Sequence, residues 1–381
     1  MKILVAPDSY KGSLSSKQVC QAIEEGLLKA CQGVFEVVKV PIADGGEGTV
    51  DAFLSALGGQ LIELTVTGPL GKPVHSFYGI LPDGTAVIEM AAASGLSLVP
   101  THQRNPLVTT TYGTGQLIMN ALDRGCSRFI VGIGGSATND AGVGMLQALG
   151  IKFLDDAGKE VPCGGGNLDK VATIDLKGMD SRLKNAQFIV ACDVDNPLCG
   201  ENGASAVYGP QKGATPDMVK LLDRNLSHLA DVVASVLGED HRNDPGAGAA
   251  GGLGFAFKTF LDAQMRPGID VVMEATHMDT LAAQSDIIIT GEGRTDYQTA
   301  QFGKAPSGVA KLGKRMGKPV LLISGALGEG YQELFNQGVI AAFSIANGPV
   351  SLQEAMENAY SLLVDIAQNI GRLLVALTKE G

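Results

Sequence analysis

The stretch KILVAPDSYKGSLSS, residues 2–16, decides the fold, because an apolar run ends at a proline and an acid and a polar loop follows. Apolar residues from Val19 to Leu27 then recur near the period of about 3.6, which predicts a helix beginning after a Ser15/Ser16 cap. A second strand, over 36–42, and a second helix repeat this order. An alternation of strand and helix predicts a parallel sheet with helices on its faces.

The pattern changes between residues 61 and 91, where three β-rich runs are joined by short Gly/Pro turns. Connections this short require antiparallel pairing. Parallel strands are expected again from FIVACDV, residues 188–194, onward. We therefore expect a parallel α/β domain of residues 1–60 and 186–381, interrupted by a mixed α/β domain over 61–185. Later helices are expected over 216–237, 249–264, 305–316 and 352–377.

The composition excludes several classes of protein. The chain has 381 residues, and 45% of them are hydrophobic, which argues against disorder. Its formal charge of −11 argues against nucleic-acid or membrane-surface partners. The six cysteines are scattered without a C-x-x-C pair, as is usual for free thiols in a reducing compartment. The N-terminal apolar run is too short for a signal peptide, and no run reaches the ~18 residues needed to span a bilayer. We expect a cytoplasmic protein.

Acidic side chains follow four predicted strands, at what we expect to be the carboxyl edge of one parallel sheet. In open parallel sheets this edge is where ligands bind. A single acid there often only caps a helix, but a cluster of acids repels itself unless a cation is present. Mg²⁺ is the natural cation, since it takes one or two carboxylates plus substrate phosphates, and this predicts phosphoryl transfer. The acids are Asp8, Asp44, Glu47, Asp193, Asp195, Glu292 and Asp296.

The segment GIGGSATNDAG, residues 132–142, is called the glycine loop below and lies between a predicted strand and a predicted helix. Glycines allow backbone N–H groups to converge on an anion, and a helix N-terminus adds its dipole. Two alternatives stay open: a tight turn capped by Asn139 or Asp140, and a dinucleotide site, since Gly132-x-Gly134-x-x-Ala137 fits that pattern. Two further glycine segments, 209–213 with Lys212 and 246–254, are open to a binding or a packing interpretation.

Other enzyme signatures are missing. The five histidines are isolated and G-x-S-x-G is absent, which disfavours a Ser-His-Asp or zinc enzyme. Every Gly-Lys pair fails the Walker pattern, and the H-R-D loop of protein kinases is absent. A kinase with this sequence belongs to neither large class.

As a set, the loops resemble one family, the bacterial glycerate kinases of the type that phosphorylates the 2-hydroxyl. The matching stretches follow in order along the chain and reach past residue 290. One departure is TDYQ at 295–298, where IDSQ is common in the family; Asp296 is kept. The stretches are APDSYKGSLSS (6–16), ADGGEGT (43–49), VTGPLG (66–71), IEMAAASGL (88–96), GIGGSATNDAG (132–142), CDVDNPLCG (192–200), GPQKGA (209–214), PGAGAAGGLG (245–254) and ITGEGRTD (289–296).

The resemblance implies a flavodoxin-like parallel domain with an inserted domain similar to restriction endonucleases. It also implies ATP-dependent phosphorylation of D-glycerate to 2-phosphoglycerate, with ATP and Mg²⁺ as cofactors and a small molecule as the partner. Phosphorylation of the 3-hydroxyl and an NAD-dependent hydroxy-acid dehydrogenase remain the alternatives. A homo-oligomer stays open.

With that activity, each group of residues receives an expected role. The catalytic residues are Asp193, Asp296, Lys11 and Arg294, one of the two aspartates taking the proton of the hydroxyl. The substrate residues are Asp8, Ser9, Lys11 and Arg294. The nucleotide residues are Gly134, Gly135, Ser136, Thr138 and Asn139. The magnesium ligands are Asp44, Asp193 and Glu292.

Overall fold

The computed structural model describes residues 1–43, 45–301 and 303–378. Its strands are β1 (Lys2–Val5), β2 (Glu36–Lys39), β3 (Gln60–Thr67), β4 (Pro73–Ile80), β5 (Ala86–Glu89), β6 (Arg128–Gly132), β7 (Lys152–Leu154), β8 (Thr173–Asp175), β9 (Gln187–Ala191), β10 (Gln264–Arg266), β11 (Ile287–Thr295), β12 (Val320–Leu327) and β13 (Val339–Ser344). Its helices are α1 (Ser16–Ala30), α2 (Thr49–Leu57), α3 (Ala91–Ser94), α4 (Tyr112–Asp123), α5 (Val143–Ala148), α6 (Ala204–Tyr208), α7 (Pro216–Leu237), α8 (Ala249–Leu261), α9 (Gly268–Ala275), α10 (Met278–Ala283), α11 (Tyr297–Gln301), α12 (Ala305–Met316), α13 (Glu333–Gln337), α14 (Leu352–Glu357) and α15 (Ala359–Thr378).

The chain divides into two compact units. The first unit comprises Met1–Asp44, Asp51–Gly58 and Gly268–Gly381, and the second comprises Gly45–Val50 and Gly59–Pro267. This division differs from the boundaries expected from the sequence, since the second unit continues to Pro267 rather than ending near residue 185. The physical reason is that β9 and β10 extend the sheet of the second unit.

The first unit is built on a five-stranded sheet in the order β13-β12-β11-β1-β2. All of its neighbouring strands are parallel, as predicted from the alternation of strands and helices. Helix α1 begins after Ser15, whose hydroxyl accepts the Gln18 N–H while the Gln18 side chain accepts the Ser15 N–H. This reciprocal pair satisfies two N–H groups that a helix start would otherwise leave unpaired.

Helices α1 and α15 pack closely together in the core of the first unit. Gly26 makes this approach feasible, because a Cβ there would overlap the carbonyl oxygen of Val364. The expected helix over 352–377 is interrupted, with α14 ending at Glu357 and α15 starting at Ala359. Among the described helices, α15 is the one long and apolar enough to cross a membrane by length and composition, but Leu363, Val364, Ala367 and Ile370 are core residues of this unit.

The second unit is built on a six-stranded mixed sheet in the order β10-β9-β6-β5-β4-β3. The predicted antiparallel pairing is confirmed for β3 with β4 and for β4 with β5. The strands β5, β6, β9 and β10 are parallel to one another, so their carboxyl ends lie at one edge. On the strands β6 and β9, Phe129 and Phe188 are register partners and their rings stack at a centroid distance of 4.6 Å.

The expectation that β9 shares a sheet with β1 and β11 is therefore wrong. An apolar run such as FIVAC indicates a buried parallel strand, but not which sheet receives it. Burial of the Phe188 ring against Phe129 and Phe257 places this strand in the second unit.

Candidate active-site residues

In the first unit, the loop after β1 lies directly against the end of β11. The N–H of Asp8 donates to the carbonyl of Gly291 at 2.8 Å, and a Cβ on Gly293 would lie 3.2 Å from the Cα of Tyr10. Asp8 is buried, while Ser9 is half-buried and its N–H donates to the Asp8 carboxylate at 2.6 Å. This contact brings the predicted substrate residues to the carboxyl edge of the sheet.

Glu292 is the buried acid of this edge. Its Oε1 accepts hydrogen bonds from the hydroxyls of Thr299 at 2.5 Å and Thr295 at 3.1 Å. Burial raises the pKa of Glu292, and these hydrogen bonds together with the positive charges of Lys304 and Lys11 oppose that rise. A buried carboxylate with two lysines near it is suited to a site that binds a cation and an anion together.

Most of the segment GEGRTD, residues 291–296, lies within strand β11 and not in a loop after it. Strand β11 continues to Thr295 and pairs with β12 as far as Leu327. A side chain on Gly291 would overlap the carbonyl of Ile323, so glycine is needed for the strands to pair there. The Arg294 side chain, 72% exposed, reaches Asp296 with an Nε to Oδ2 distance of 3.4 Å, which brings these two predicted residues together.

In the second unit, the glycine loop leaves β6 at the carboxyl edge of the sheet. Gly134 and Gly135 are exposed, while Ser136, Thr138 and Asn139 are buried. The following helix α5 has only six residues, so its dipole adds little. Any anion binding at this loop therefore owes little to the dipole of α5.

Three other segments hold the glycine loop by backbone hydrogen bonds. The N–H of Gly134 donates to Gly45 at 3.1 Å, and the N–H of Ala137 donates to Ser94 at 3.0 Å. The N–H of Ala141 donates to Gly251 at 3.0 Å. Four of the stretches that the sequence singled out (43–49, 88–96, 132–142 and 245–254) are therefore brought together around one loop.

Lys212 packs behind the glycine loop and is only 1% exposed. Its Nζ donates to the hydroxyl of Ser136 at 2.8 Å and to the carbonyl of Thr138 at 2.6 Å. Burial lowers the pKa of this lysine from 10.5 to about 7. The sequence is compatible with either a binding or a packing role for Lys212, and its position in GPQKG is the signal that points to the glycine loop.

Two polar atoms of the loop are buried without a hydrogen-bond partner, the Oγ1 of Thr138 and the Oδ1 of Asn139. The amide nitrogen of Asn139 donates to the Ser205 hydroxyl at 2.9 Å, so Asn139 does not cap α5 as one alternative held. Buried polar atoms without a hydrogen-bond partner are uncommon in proteins, and the glycine loop has two of them.

Asp140 holds the end of the glycine loop. It is fully buried, and its Oδ2 accepts the N–H and the hydroxyl of Thr111 at 2.8 and 2.9 Å. Oδ1 accepts the N–H of Gly142 at 3.2 Å. Burial raises the pKa of Asp140, and these donors oppose that rise. This acid serves the structure of the loop.

The predicted strand-end acids belong to two sheets and not to one. Asp193, half-buried, and Asp195, exposed, follow β9 in the second unit, whereas Asp8 and Glu292 lie in the first. A Cβ on Gly45 would lie 2.8 Å from the Cβ of Ala191, so the loop after β9 starts beside the segment that holds the glycine loop.

The predicted magnesium ligands are supported by their chemistry alone. Asp44 lies outside the described residues. Within the described part of the chain, no group of three or more His, Cys, Asp or Glu side chains has the geometry of a metal site. Mg²⁺ takes few protein ligands and completes its shell with water and phosphate oxygens, so the carboxylates of Asp193 and Glu292 still fit it.

One further acid was missed as a site residue. Glu89, at the end of β5, is buried, and its carboxylate accepts the N–H of Val50 at 2.7 Å. It therefore helps to hold the segment 45–50 against the carboxyl edge of the second sheet. In the sequence Glu89 stands within IEMAAASGL, and no local pattern distinguishes it from an ordinary strand residue.

Comparisons with known proteins identify one family. A model of the glycerate kinase family matches residues 3–375. The chain is similar to glycerate kinase of Bacillus subtilis strain 168, with 52% identity and 97% of each chain covered, and to glycerate 2-kinase of Escherichia coli K12, with 49% identity and 98% of each covered. A crystal structure assigned to glycerate kinase 2 of Salmonella typhimurium LT2 superposes with a TM-score of 0.88 at 47% identity, covering 99% of both chains.

Proposed function

Because this chain belongs to the glycerate kinase family, we propose that it transfers the γ-phosphoryl group of ATP to the 2-hydroxyl of D-glycerate, giving 2-phosphoglycerate and ADP. The observation that carries the proposal is the glycine loop, whose exposed Gly134-Gly135 backbone is backed by the buried Lys212. The Escherichia coli relative, which carries the name glycerate 2-kinase, supports the choice of hydroxyl.

In this proposal, the triphosphate binds at the glycine loop. Gly134 and Gly135 leave the backbone open to the phosphates, and Ser136, Thr138 and Asn139 supply side-chain polar groups. Backbone N–H groups and hydroxyls are suitable donors to phosphate oxygens. A loop that binds phosphate through these donors does not need a Walker sequence.

The glycerate binds at the carboxyl edge of the first unit. The carboxylate of the substrate pairs with Lys11 and with Arg294, whose exposed guanidinium is oriented by Asp296. Asp8 and Ser9, at the end of β1, bind the hydroxyl groups. Arginine matches a carboxylate in a bidentate geometry, which also orients a small substrate.

Transfer then needs a base for the hydroxyl proton. We assign this role to Asp193 or Asp296, the half-buried acids among the candidates. The hydroxyl oxygen forms the new P–O bond, the proton passes to the carboxylate, and the bond to the ADP oxygen breaks. Mg²⁺, held by Asp44, Asp193 or Glu292, neutralises phosphate charge when bound.

Family membership also leads us to propose the finer fold description, a flavodoxin-like first unit and a restriction-endonuclease-like second unit. A cytoplasmic location is proposed as well, since all six cysteines are free, as a reducing compartment would keep them. The alternative domain boundaries 1–60 with 186–381 and 61–185 can be compared with the two units by limited proteolysis.

The assay that tests the activity measures ADP release from MgATP with D-glycerate, beside NADH formation with NAD. We expect ADP release that depends on D-glycerate, and phosphorus NMR of the product should show a 2-phosphate ester. NADH formation without ADP release would favour the dehydrogenase, and a 3-phosphate ester would contradict the proposed hydroxyl while keeping the kinase.

A further inference from the structure

The described part of the chain contains one fully buried lysine or arginine, Lys212. Burying an ammonium group costs several kcal/mol unless its charge is compensated. The hydrogen-bond acceptors of this ammonium are a hydroxyl and a carbonyl, both uncharged, and Asp140 acts on it through its electrostatic field. A buried ammonium group with this desolvation cost is expected to have a function, and the contacts of Lys212 indicate what that function is.

Both hydrogen-bond acceptors of Lys212 belong to the glycine loop. They are the Ser136 hydroxyl at 2.8 Å and the Thr138 carbonyl at 2.6 Å, and they flank Ala137. Gly134 and Gly135, immediately before them, are exposed. The amine of Lys212 therefore contacts a loop whose Gly134-Gly135 backbone is open to a ligand, and an anionic ligand there would stabilise the charged form of the lysine.

We infer that Lys212 is a positioning residue for the nucleotide, which fixes Ser136 and Thr138 in the glycine loop and supplies the positive charge that a triphosphate at this loop requires. This inference rests on the proposed function, in which MgATP binds at the loop. Lys212 acts through Ser136 and Thr138, whereas a Walker lysine touches the phosphates itself.

The inference makes nucleotide binding depend on the protonation of Lys212. Burial holds the pKa of the ligand-free lysine at about 7, and the charge of Asp140 opposes that lowering. Arg104 is a further charged group beside this segment, since its guanidinium donates to the carbonyl of Gln211 at 3.5 Å. A bound polyanion favours the charged lysine, so MgATP binding at pH 8 takes up a proton.

The first experiment compares Lys212→Met with Lys220→Met, a control that removes an exposed lysine eight positions along the chain. We expect Lys212→Met to raise KM for MgATP by roughly 10- to 100-fold, the loss that matches a hydrogen bond to a charged group. KM for D-glycerate should change much less, and the control should behave as the unmodified enzyme. An unchanged KM for MgATP in folded Lys212→Met would overturn the inference.

A double-substitution cycle tests whether the lysine acts through Ser136. Ser136→Ala should raise KM for MgATP in the unmodified enzyme, and should raise it clearly less when Lys212 is already Met. Equal effects in the two backgrounds would show that the residues act independently and would contradict a positioning role.

Calorimetry covers the case in which Lys212→Met does not fold, because it uses the unmodified enzyme. MgATP is titrated at pH 8 in buffers of different ionisation enthalpy, and we expect close to one proton taken up for each nucleotide bound. Binding without proton uptake would overturn the inference. Absence of glycerate-dependent ADP release would contradict the proposed function separately, since calorimetry needs no turnover.

Discussion

Lys11 and Lys212 show how strongly the environment decides what one residue type can do. Both lie within segments that the sequence marks as candidate binding segments, yet Lys11 is exposed and Lys212 is buried. The exposed position of Lys11 suits it to pair with a substrate carboxylate. Lys212 is held by two acceptors of the glycine loop, which suits it to fix a loop conformation.

Asp193 gives the sharpest test at the residue scale. Asp193→Asn should lower kcat by roughly 10²- to 10⁴-fold if the carboxylate takes the hydroxyl proton, because an amide cannot accept it. Asp195→Asn is the matched control, since Asp195 is exposed on the same segment. Steady-state kinetics with D-glycerate would measure both, and near-normal turnover of Asp193→Asn would assign the base role to Asp296.

At the scale of elements, the loops around the glycine loop pack by close approach of their backbones. The 245–254 segment touches the glycine loop where a Cβ on Gly251 would overlap the carbonyl of Thr138. Gly251 also has a φ of 71°, a conformation that favours glycine. The glycine count of 51 therefore reflects, in part, loops that must pack without side chains.

Substituting Gly251 by Ala tests this packing, with Gly158→Ala as the control. Gly158 has a similar φ of 75° and nothing within 4 Å of its Cβ position, so both variants carry the same backbone strain. We expect Gly251→Ala to lower the free energy of unfolding by about 1–3 kcal/mol more than the control, the usual cost of overpacking. Chemical denaturation measures it, and equal losses would show that the overlap is relieved elsewhere.

For the whole molecule, the charge on Lys212 should appear in the dependence of stability on pH. The pKa of this lysine is lowered to about 7 by burial, so between pH 7 and its ordinary value the unfolded chain binds more protons than the folded one. Its contribution therefore increases the free energy of unfolding as pH rises through that window. His241 acts in the opposite direction, because Asp244 raises its pKa and the resulting stability is lost as pH rises.

The comparison of the unmodified protein with Lys212→Met isolates the lysine from other titrating groups. We expect the stability difference between them to change by up to about 1.4 kcal/mol per pH unit between pH 7 and pH 10. The free energy of unfolding of Lys212→Met, relative to that of the unmodified protein, should be highest near pH 7, at the acid end of this window. Urea denaturation at several pH values provides the measurement, and a difference independent of pH would mean that Lys212 does not titrate there.

Much of the architecture follows from local patterns in the sequence. The helix after Ser15, the antiparallel hairpins after residue 60 and the helices over 216–237 and 305–316 follow from caps, turns and apolar periods, which are properties of neighbouring residues. The set of quoted stretches likewise identified the family that the comparisons show. These features act over a few residues, so the sequence alone determines them.

The placement of β9 and of Lys212 was decided only by the tertiary structure. A buried parallel strand can join either sheet, and the stacking of Phe188 on Phe129 selects the second. A lysine in a glycine-containing segment such as GPQKG can face water or the core, and the hydrogen-bond acceptors that Ser136 and Thr138 offer decide its burial. Both choices depend on contacts between residues more than fifty positions apart, for which a local pattern carries no information.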